Sequence, residues 1–410
     1  MRIRRLSGAL IAGLLLIGPR PLAAASDVFT VRGIEVDVTA ETAAAAREAA
    51  LAQGHVLALQ KLLTRILPRD ELARVRRLEA DEIVQFVQDF EVAEERRSDV
   101  RYLASLTFRF KPEPLRQLLR ADGLLYAETR SKPVLVLPVF GIAGQAKLWG
   151  ETNPWWQAWA MRRPGDWLVP LRMPLGDLGD ISTIDAEQTL SGDTERLSKL
   201  ARRYGAEDVI ITQAVLLGDP EAGQASLQIG TSRLGVQERQ TIIENHHQQA
   251  GESLAALFSR AAEAVDREVQ ESWKQSNLLR AGSERKLSAT VPVGRLADWL
   301  EVKRRLEAVA PVVRSEVTGL SRSRTEVDIT FVGDEQQLVL AMAQSDLTLS
   351  LNPAVGWEIR LSGAQGETDA ASGLAPIPDA PSAAAAGAGR QAPSPDGVTT
   401  APAETTPVVE

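Results

Sequence analysis

The sequence predicts a multidomain fold of mixed α+β and α/β type, preceded by an export signal and followed by a disordered tail. Helix-like and strand-like hydrophobic periodicities alternate along the chain in three separate blocks. Hydrophobic residues make up 44% of the 410 residues, which is enough for several cores. The predicted divisions are a signal peptide (1–25), a β-α-β-β domain (27–111), an α/β domain (112–274), a linker (275–286), a ferredoxin-like β-α-β-β-α-β domain (287–362) and a tail (363–410).

The first 25 residues have the pattern of a secretory signal peptide. Three arginines in the first five residues precede an uncharged run from Leu6 to Gly18, and Ala23-Ala24-Ala25 follows. The run would span only about 20 Å as a helix, against ~30 Å for a bilayer core. We therefore expect cleavage after Ala25, a periplasmic protein, and no transmembrane segment in the mature chain.

The composition excludes several classes of site. The chain has no cysteine, which excludes disulfides, zinc–thiolate sites, cysteine nucleophiles and an N-terminal lipid anchor. It has three histidines and a net charge of −8. We expect no metal, no cofactor and no nucleic acid or anionic membrane surface as partner.

The first block predicts one helix against a small antiparallel sheet. A strand begins at Phe29 and changes phase at Gly33, which indicates a bulge. His55 lies beside the apolar stripe of the helix, so we interpret it as a packed histidine. The other predicted elements are a helix over Ala40–Ile66 and strands over Ile83–Val92 and Tyr102–Phe110.

The second block predicts a partly parallel sheet. Val134–Leu137 and Val209–Ile211 are continuous apolar runs, typical of strands buried on both faces. A helix within Asp185–Tyr204 separates them, which favours parallel pairing. The other predicted elements are helices over Pro112–Asp122 and Glu252–Trp273 and strands over Ser226–Thr231 and Gln240–Asn245.

The third block predicts a ferredoxin-like order of elements. Its elements are strands over Leu287–Val293, Val312–Leu320, Thr325–Val332, Leu347–Leu351 and Trp357–Leu361 and helices over Arg295–Val309 and Glu335–Gln344. In the tail that follows, 26 of 48 residues are Ala, Pro or Gly and none is aromatic. Such a segment cannot bury enough apolar surface to offset its ordering entropy, so we expect disorder.

A cluster of tryptophans is the most unusual local feature. Asn153 and Pro154 suit the cap and first position of a helix that would place three of the indoles near one face. This surface is either an aromatic platform for a sugar, peptide or protein, or a satellite core beneath a long loop. The candidates are Trp149, Trp155, Trp156, Trp159 and Trp167.

Four aspartates follow the first tryptophans, and two histidines are adjacent later in the chain. The aspartates could form a calcium site or an acid/base pair, but helix caps and turns explain most of them. His246 and His247 would point to opposite faces of a strand and chelate one metal poorly. The chain lacks the G-x-S-x-G, H-E-x-x-H and phosphate-loop motifs, which makes an enzyme the less favoured class. The aspartates are Asp166, Asp177, Asp180 and Asp185.

Three segments resemble a family of exported proteobacterial proteins classed only as a domain of unknown function. They are residues 29–50 (FTVRGIEVDVTAETAAAAREAA), 133–139 (PVLVLPV) and 200–210 (LARRYGAEDVI). The likeness covers most of residues 29–361 and implies no catalytic residues. The second block also resembles the α/β domain of envelope assembly proteins, among them the amino-terminal domain of the Tol translocation protein, curli-secretion lipoproteins and penicillin-binding-protein activators. The first block is similar to small modules of flagellar-assembly and surface lipoproteins.

These observations together predict an exported, non-enzymatic protein that binds another protein of the cell envelope. A glycan- or solute-binding protein that uses the tryptophan cluster is the main alternative. A hydrolase with carboxylates at Asp177, Asp180 and Asp185 is the less favoured one.

Overall fold

The computed structural model describes residues 28–142, 144–234, 240–279, 284–321 and 323–362 of the chain. The expected signal peptide, the expected disordered tail and part of the expected linker lie outside these residues. The described part is a mixed α+β structure with three sheets. Within it, no helix is both long enough and apolar enough to span a bilayer.

The N-terminal module, residues 28–121, packs one long helix against a three-stranded antiparallel sheet of order β1-β3-β2. The sheet pairing shifts between Val31 and Ile34, where Gly33 has a φ of +64°, so the predicted bulge is confirmed. The elements are β1 (Thr30–Thr39), α1 (Ala43–Ile66), α2 (Arg69–Leu72), α3 (Ala80–Val84), β2 (Val87–Arg97), β3 (Arg101–Phe110) and α4 (Pro112–Ala121).

Close contact between α1 and β3 depends on a glycine. A Cβ atom at Gly54 would lie 3.0 Å from the Leu106 side chain and 3.1 Å from the Phe108 ring. Alternate residues of β3 are buried beneath the helix. They are Tyr102, Ala104, Leu106, Phe108 and Phe110.

The predicted strand over Ile83–Val92 is wrong in its first part. Glu79 and Glu82 form a capping box that starts α3, and Ile83 is buried as a helical residue. The strand starts only at Val87 and continues to Arg97. Local capping therefore outweighs the apolar pattern at this position.

The central module, residues 122–279, contains a six-stranded mixed sheet of order β5-β4-β7-β8-β9, with β6 also paired to β4. Strands β4 and β7 are parallel, as predicted. Strand β8 pairs antiparallel with β7, and β9 pairs antiparallel with β8. The elements are β4 (Val134–Ile142), β5 (Gln145–Lys147), α5 (Pro154–Met161), β6 (Leu171–Arg172), α6 (Leu178–Thr183), α7 (Ala186–Ser191), α8 (Thr194–Arg203), β7 (Asp208–Leu217), β8 (Ser226–Leu234), β9 (Gln240–His247) and α9 (Leu254–Ser276).

Residues of β4 alternate between two cores. Val134 and Val136 pack beneath α9 and α5, whereas Leu135 and Leu137 pack beneath α8. The strand is thus buried on both faces, as the uninterrupted apolar run predicts. The helical segment within Asp185–Tyr204 is two helices, α7 and α8, because Gly192 adopts a left-handed conformation between them.

The C-terminal module, residues 284–362, has a five-stranded sheet of order β11-β12-β10-β14-β13. Strand β14 lies between β10 and β13 and runs parallel to β10. The ferredoxin-like prediction therefore needs correction, because that fold would place the strand after the second helix, here β13, beside β10. The elements are β10 (Arg285–Pro292), α10 (Leu296–Glu307), β11 (Val312–Leu320), β12 (Arg324–Phe331), α11 (Glu335–Gln344), β13 (Leu347–Asn352) and β14 (Gly356–Leu361).

Specific polar contacts join the three modules. The Ala127 amide donates to the Ile66 carbonyl at 2.8 Å, and the Lys132 amide donates to Gln344 Oε1 at 2.6 Å. Asp166 forms ion pairs with three arginines from different segments, namely Arg32, Arg65 and Arg130. Helix α9 ends at Ser276 and β10 begins at Arg285, and these two elements flank the segment predicted as a linker.

His55 is packed as predicted and makes the stability of the N-terminal module dependent on pH. Its ring centroid lies 5.0 Å from that of Phe108 and 6.3 Å from that of Phe90. Burial lowers the pKa of His55 from its ordinary value of 6.5. The unfolded chain takes up this proton first, so the stabilising contribution is present above pH 6.5 and is lost as the pH falls through the folded-state pKa.

We expect the His55→Gln variant to lose less stability than the parent chain when the pH falls from about 7 to about 5. Urea unfolding at several pH values measures, for each protein, the slope of the free energy of unfolding against pH. The Gln60→Asn variant, changed at an exposed position of α1, adds and removes no titrating group, so it is the control and keeps the parent slope. Equal slopes for His55→Gln and the parent would contradict this assignment.

Candidate functional site

The tryptophan cluster is divided between the core and the surface. Trp155 and Trp159 are fully buried in the core beneath α9, with ring centroids 5.9 Å apart in an edge-to-face contact. The Trp155 indole donates to the Thr212 carbonyl at 3.0 Å. Their burial gives these two residues a packing role and removes them from the expected platform.

Trp149 and Trp156 form a second, half-buried pair on the other side of α5. Their ring centroids are 5.3 Å apart in an edge-to-face contact, and Trp149 donates to the Ile184 carbonyl at 2.7 Å. Asn153 caps α5 as predicted and accepts from the Trp156 amide at 2.9 Å. The pair stays accessible in part, which distinguishes it from the buried pair.

Trp167 lies apart from both pairs. Its indole ring covers the backbone of Gly165, since a Cβ atom there would lie 1.9 Å from the indole nitrogen. It also lines a cavity of about 170 Å³ between α9 and the end of α1, together with Lys274. Burial lowers the pKa of Lys274, whose Nζ is held by the Leu67 carbonyl at 2.7 Å and by Glu271 at 3.0 Å. Lys274 therefore joins the central module to the N-terminal module.

An exposed apolar surface lies beside the half-buried tryptophan pair. A Cβ atom at Gly176 would be 3.4 Å from the Trp156 ring, so the loop touches the indole. Leu175 and Leu178, on either side of this contact, are 77% and 84% exposed. Ile181 follows one helical turn later and is also exposed. We call these residues the leucine cap, namely Trp156, Leu175, Leu178 and Ile181.

A buried carboxylate holds the backbone of the leucine cap. Asp180 Oδ2 accepts from the Gly176 amide at 2.9 Å and from the Tyr204 hydroxyl at 2.6 Å. The same hydroxyl accepts from the Leu175 amide at 2.9 Å. Arg203 donates to Asp180 Oδ1 at 2.6 Å and pairs with Asp177. The loop is therefore fixed by a charge-assisted network although its leucines face solvent.

The aspartates considered for catalysis serve structural roles. Asp177 caps α6 and pairs with Arg203, which holds the pKa of its carboxyl below the ordinary value. Asp185 forms a capping box with Gln188 at the start of α7. Asp180 is fully buried, so the three carboxylates do not face one open cleft. Within the described residues, no cluster of three or more potential metal ligands occurs.

The adjacent histidines lie at the end of β9, as expected. His246 is opposite Leu227 and lies half-buried towards α9, while His247 is exposed. Burial lowers the pKa of His246. The two rings thus point to opposite faces of the sheet.

Sequence reasoning missed the leucine cap itself. Its one signal is the spacing of Leu175, Leu178 and Ile181 at intervals of three within a segment rich in Gly and Asp. That spacing indicates one helical face but does not tell whether the face is inside or outside. Comparison with protein-family models and with curated proteins finds no match for this chain.

We expect the Tyr204→Phe variant to be less stable than the parent by about 1–2 kcal/mol, since it removes a hydrogen bond to a buried carboxylate. Burial and the bond to Asp180 raise the pKa of Tyr204, which is consistent with a protonated, donating hydroxyl. Urea unfolding measures the loss. The Ser182→Ala variant removes an exposed hydroxyl from α6, the helix that contains Asp180, and is expected to change stability by less than about 0.5 kcal/mol. Equal effects of the two changes would contradict a structural role for the Tyr204 hydroxyl.

Proposed function

We propose that the protein is an exported, periplasmic protein of the cell envelope that acts without catalysis by binding another protein. The observation that carries this proposal is the leucine cap. Leu175 and Leu178 are exposed to solvent while their backbone is held by Asp180 and Tyr204. Such a surface fits a partner that presents apolar side chains, such as one face of an amphipathic helix.

The rigidity of the loop favours binding on thermodynamic grounds. A mobile loop loses conformational entropy when a partner orders it, which weakens association. Here the ordering is already supplied by the bonds of Asp180 to Gly176, Arg203 and Tyr204. Because folding has already ordered the loop, binding a partner costs the leucine cap little further conformational entropy.

The partner class and the location rest on the sequence. The pattern of residues 1–25 supports export, and the absence of cysteine supports a protein without a thioether-linked lipid. The resemblance to exported proteins of unknown function and to envelope assembly proteins supports an accessory role in assembly. In this proposal the three modules are three small domains, and the last of them is a modified ferredoxin-like domain.

A glycan-binding protein is the second candidate, because Trp156 remains partly accessible beside Trp149. Sugars stack on open indole faces, and the edge-to-face contact of this pair leaves fewer faces open than a flat platform would. Titration of peptidoglycan fragments against tryptophan fluorescence separates the two candidates. A saturable shift that Trp156→Ala abolishes would favour the glycan.

In-cell photocrosslinking from position 178 tests the proposal directly. A photoreactive phenylalanine analogue replaces Leu178, which is 84% exposed, and the adducts are identified by mass spectrometry. We expect one dominant protein adduct. The same analogue at Leu320, which is 76% exposed on β11, is the matched control and should not give that adduct. Equal adducts at both positions, or none at position 178, would contradict the leucine cap as the contact surface.

Serine substitution of Leu175 and Leu178 together supplies an independent check. Because both side chains are exposed, we expect the free energy of unfolding to change by less than about 1 kcal/mol. Crosslinking to the same partner from a neighbouring position, Ile181, should be lost. Retention of that adduct in a folded double variant would show that the leucines do not make the contact.

A further inference from the structure

Strand β9 forms an unpaired edge of the central sheet. Within the described residues it pairs with β8 alone, and all eight of its residues, Gln240–His247, follow an unbroken register. Its outer backbone groups are therefore available to another extended segment. An edge of this length and regularity is a template for strand addition.

The other edge strands of the described sheets are protected in ways that β9 is not. Bulges or irregular pairing interrupt β1, β2 and β11, and β5 and β6 contain only three and two residues. The remaining edge, β13, has six residues, and Arg305 donates to the Asp346 carbonyl beside its start. Strand β9 has no bulge, proline or lysine, and Glu244 is its one charged residue.

The side chains of β9 are complementary to a second copy of the same strand. In antiparallel pairing about a two-fold axis at Ile243, that residue lies opposite itself and Thr241 lies opposite Asn245 of the second copy. Glu244 then lies opposite an isoleucine, Ile242, so no like charges meet. An axis at Glu244 would place two carboxylates face to face, which is destabilising. A two-fold axis at Ile242 would pair only five residues of each β9 strand, whereas the axis at Ile243 pairs seven.

The surroundings of Ile243 can accommodate this contact. Its side chain is 67% exposed and lies beside Gly230 of β8, with Gln213 of β7 next in the row. A Cβ atom at Gly230 would meet no atom within 4 Å. This depression belongs to a groove of about 370 Å³ on the open face of the sheet, so Ile243 has room to turn when a second copy approaches.

We propose that the protein forms a homodimer through antiparallel pairing of β9, with the two-fold axis at Ile243. The dimer joins the two central sheets edge to edge and buries the exposed isoleucines against each other. This interface is separate from the leucine cap, so each surface can be tested without the other.

Cysteine crosslinking tests both the dimer and its register, because the natural chain contains no cysteine. Directly opposed residues bring their Cβ atoms within roughly 4.5–5.5 Å, and a small movement of the two edge strands closes the remaining distance to the roughly 3.5–4.5 Å of a disulfide. Under mild oxidation we expect Ile243→Cys to give a covalent dimer. Thr241→Cys is the control, since its counterpart lies four residues away along the strands. Failure of Ile243→Cys, or equal crosslinking of both variants, would overturn the proposal.

Light scattering on the full chain supplies the second measurement. We expect the parent to have the mass of a dimer and Ile243→Lys to have half that mass, because two ammonium groups would meet at the axis. Leu320→Lys introduces the same charge on β11 and should leave the mass unchanged. A monomeric parent, or a dimer that Ile243→Lys leaves intact, would overturn the proposal.

Discussion

The parallel pairing of β4 with β7 is the constraint on which the described structure depends. Its residues alternate between a core beneath α9 and a core beneath α8, so both faces of this pair must be covered. Helix α9 covers one face along β7 and β8, while α8 covers the other near β4 and β7. Among the described residues no such helix covers the other face of β8 and β9, and the groove on that face follows from this unequal cover.

The chain that connects β4 to β7 contains α5, α6, α7 and α8. The loop of the leucine cap belongs to this connection, so it lies beside helices that can hold its backbone. Tyr204 and Arg203 end α8 and hold Asp180 of α6, which in turn holds Gly176. Packing of α8 on the sheet thus positions an exposed apolar surface. Stability of the central module and accessibility of the cap are coupled through this network.

The sequence predicts most element positions because hydrophobic periodicity reports which face of a strand or helix is buried. It predicts the cap at Asn153 because short polar side chains satisfy free amides at helix starts. It does not predict the division of the tryptophans, since Trp156 lies about 100° around the helix from Trp155. Nor does periodicity reveal that β14 inserts beside β10, because strand order depends on contacts distant in sequence.

We infer that the leucine cap is a preformed surface whose backbone is fixed before a partner binds. Hydrogen exchange at the amides of Leu175 and Gly176 tests it most directly, because both donate to the network of Tyr204 and Asp180. We expect protection comparable to that of amides in α8, despite the exposure of the adjoining side chains. Exchange at the rate of an unstructured chain would show that the backbone of the leucine cap is not held before binding.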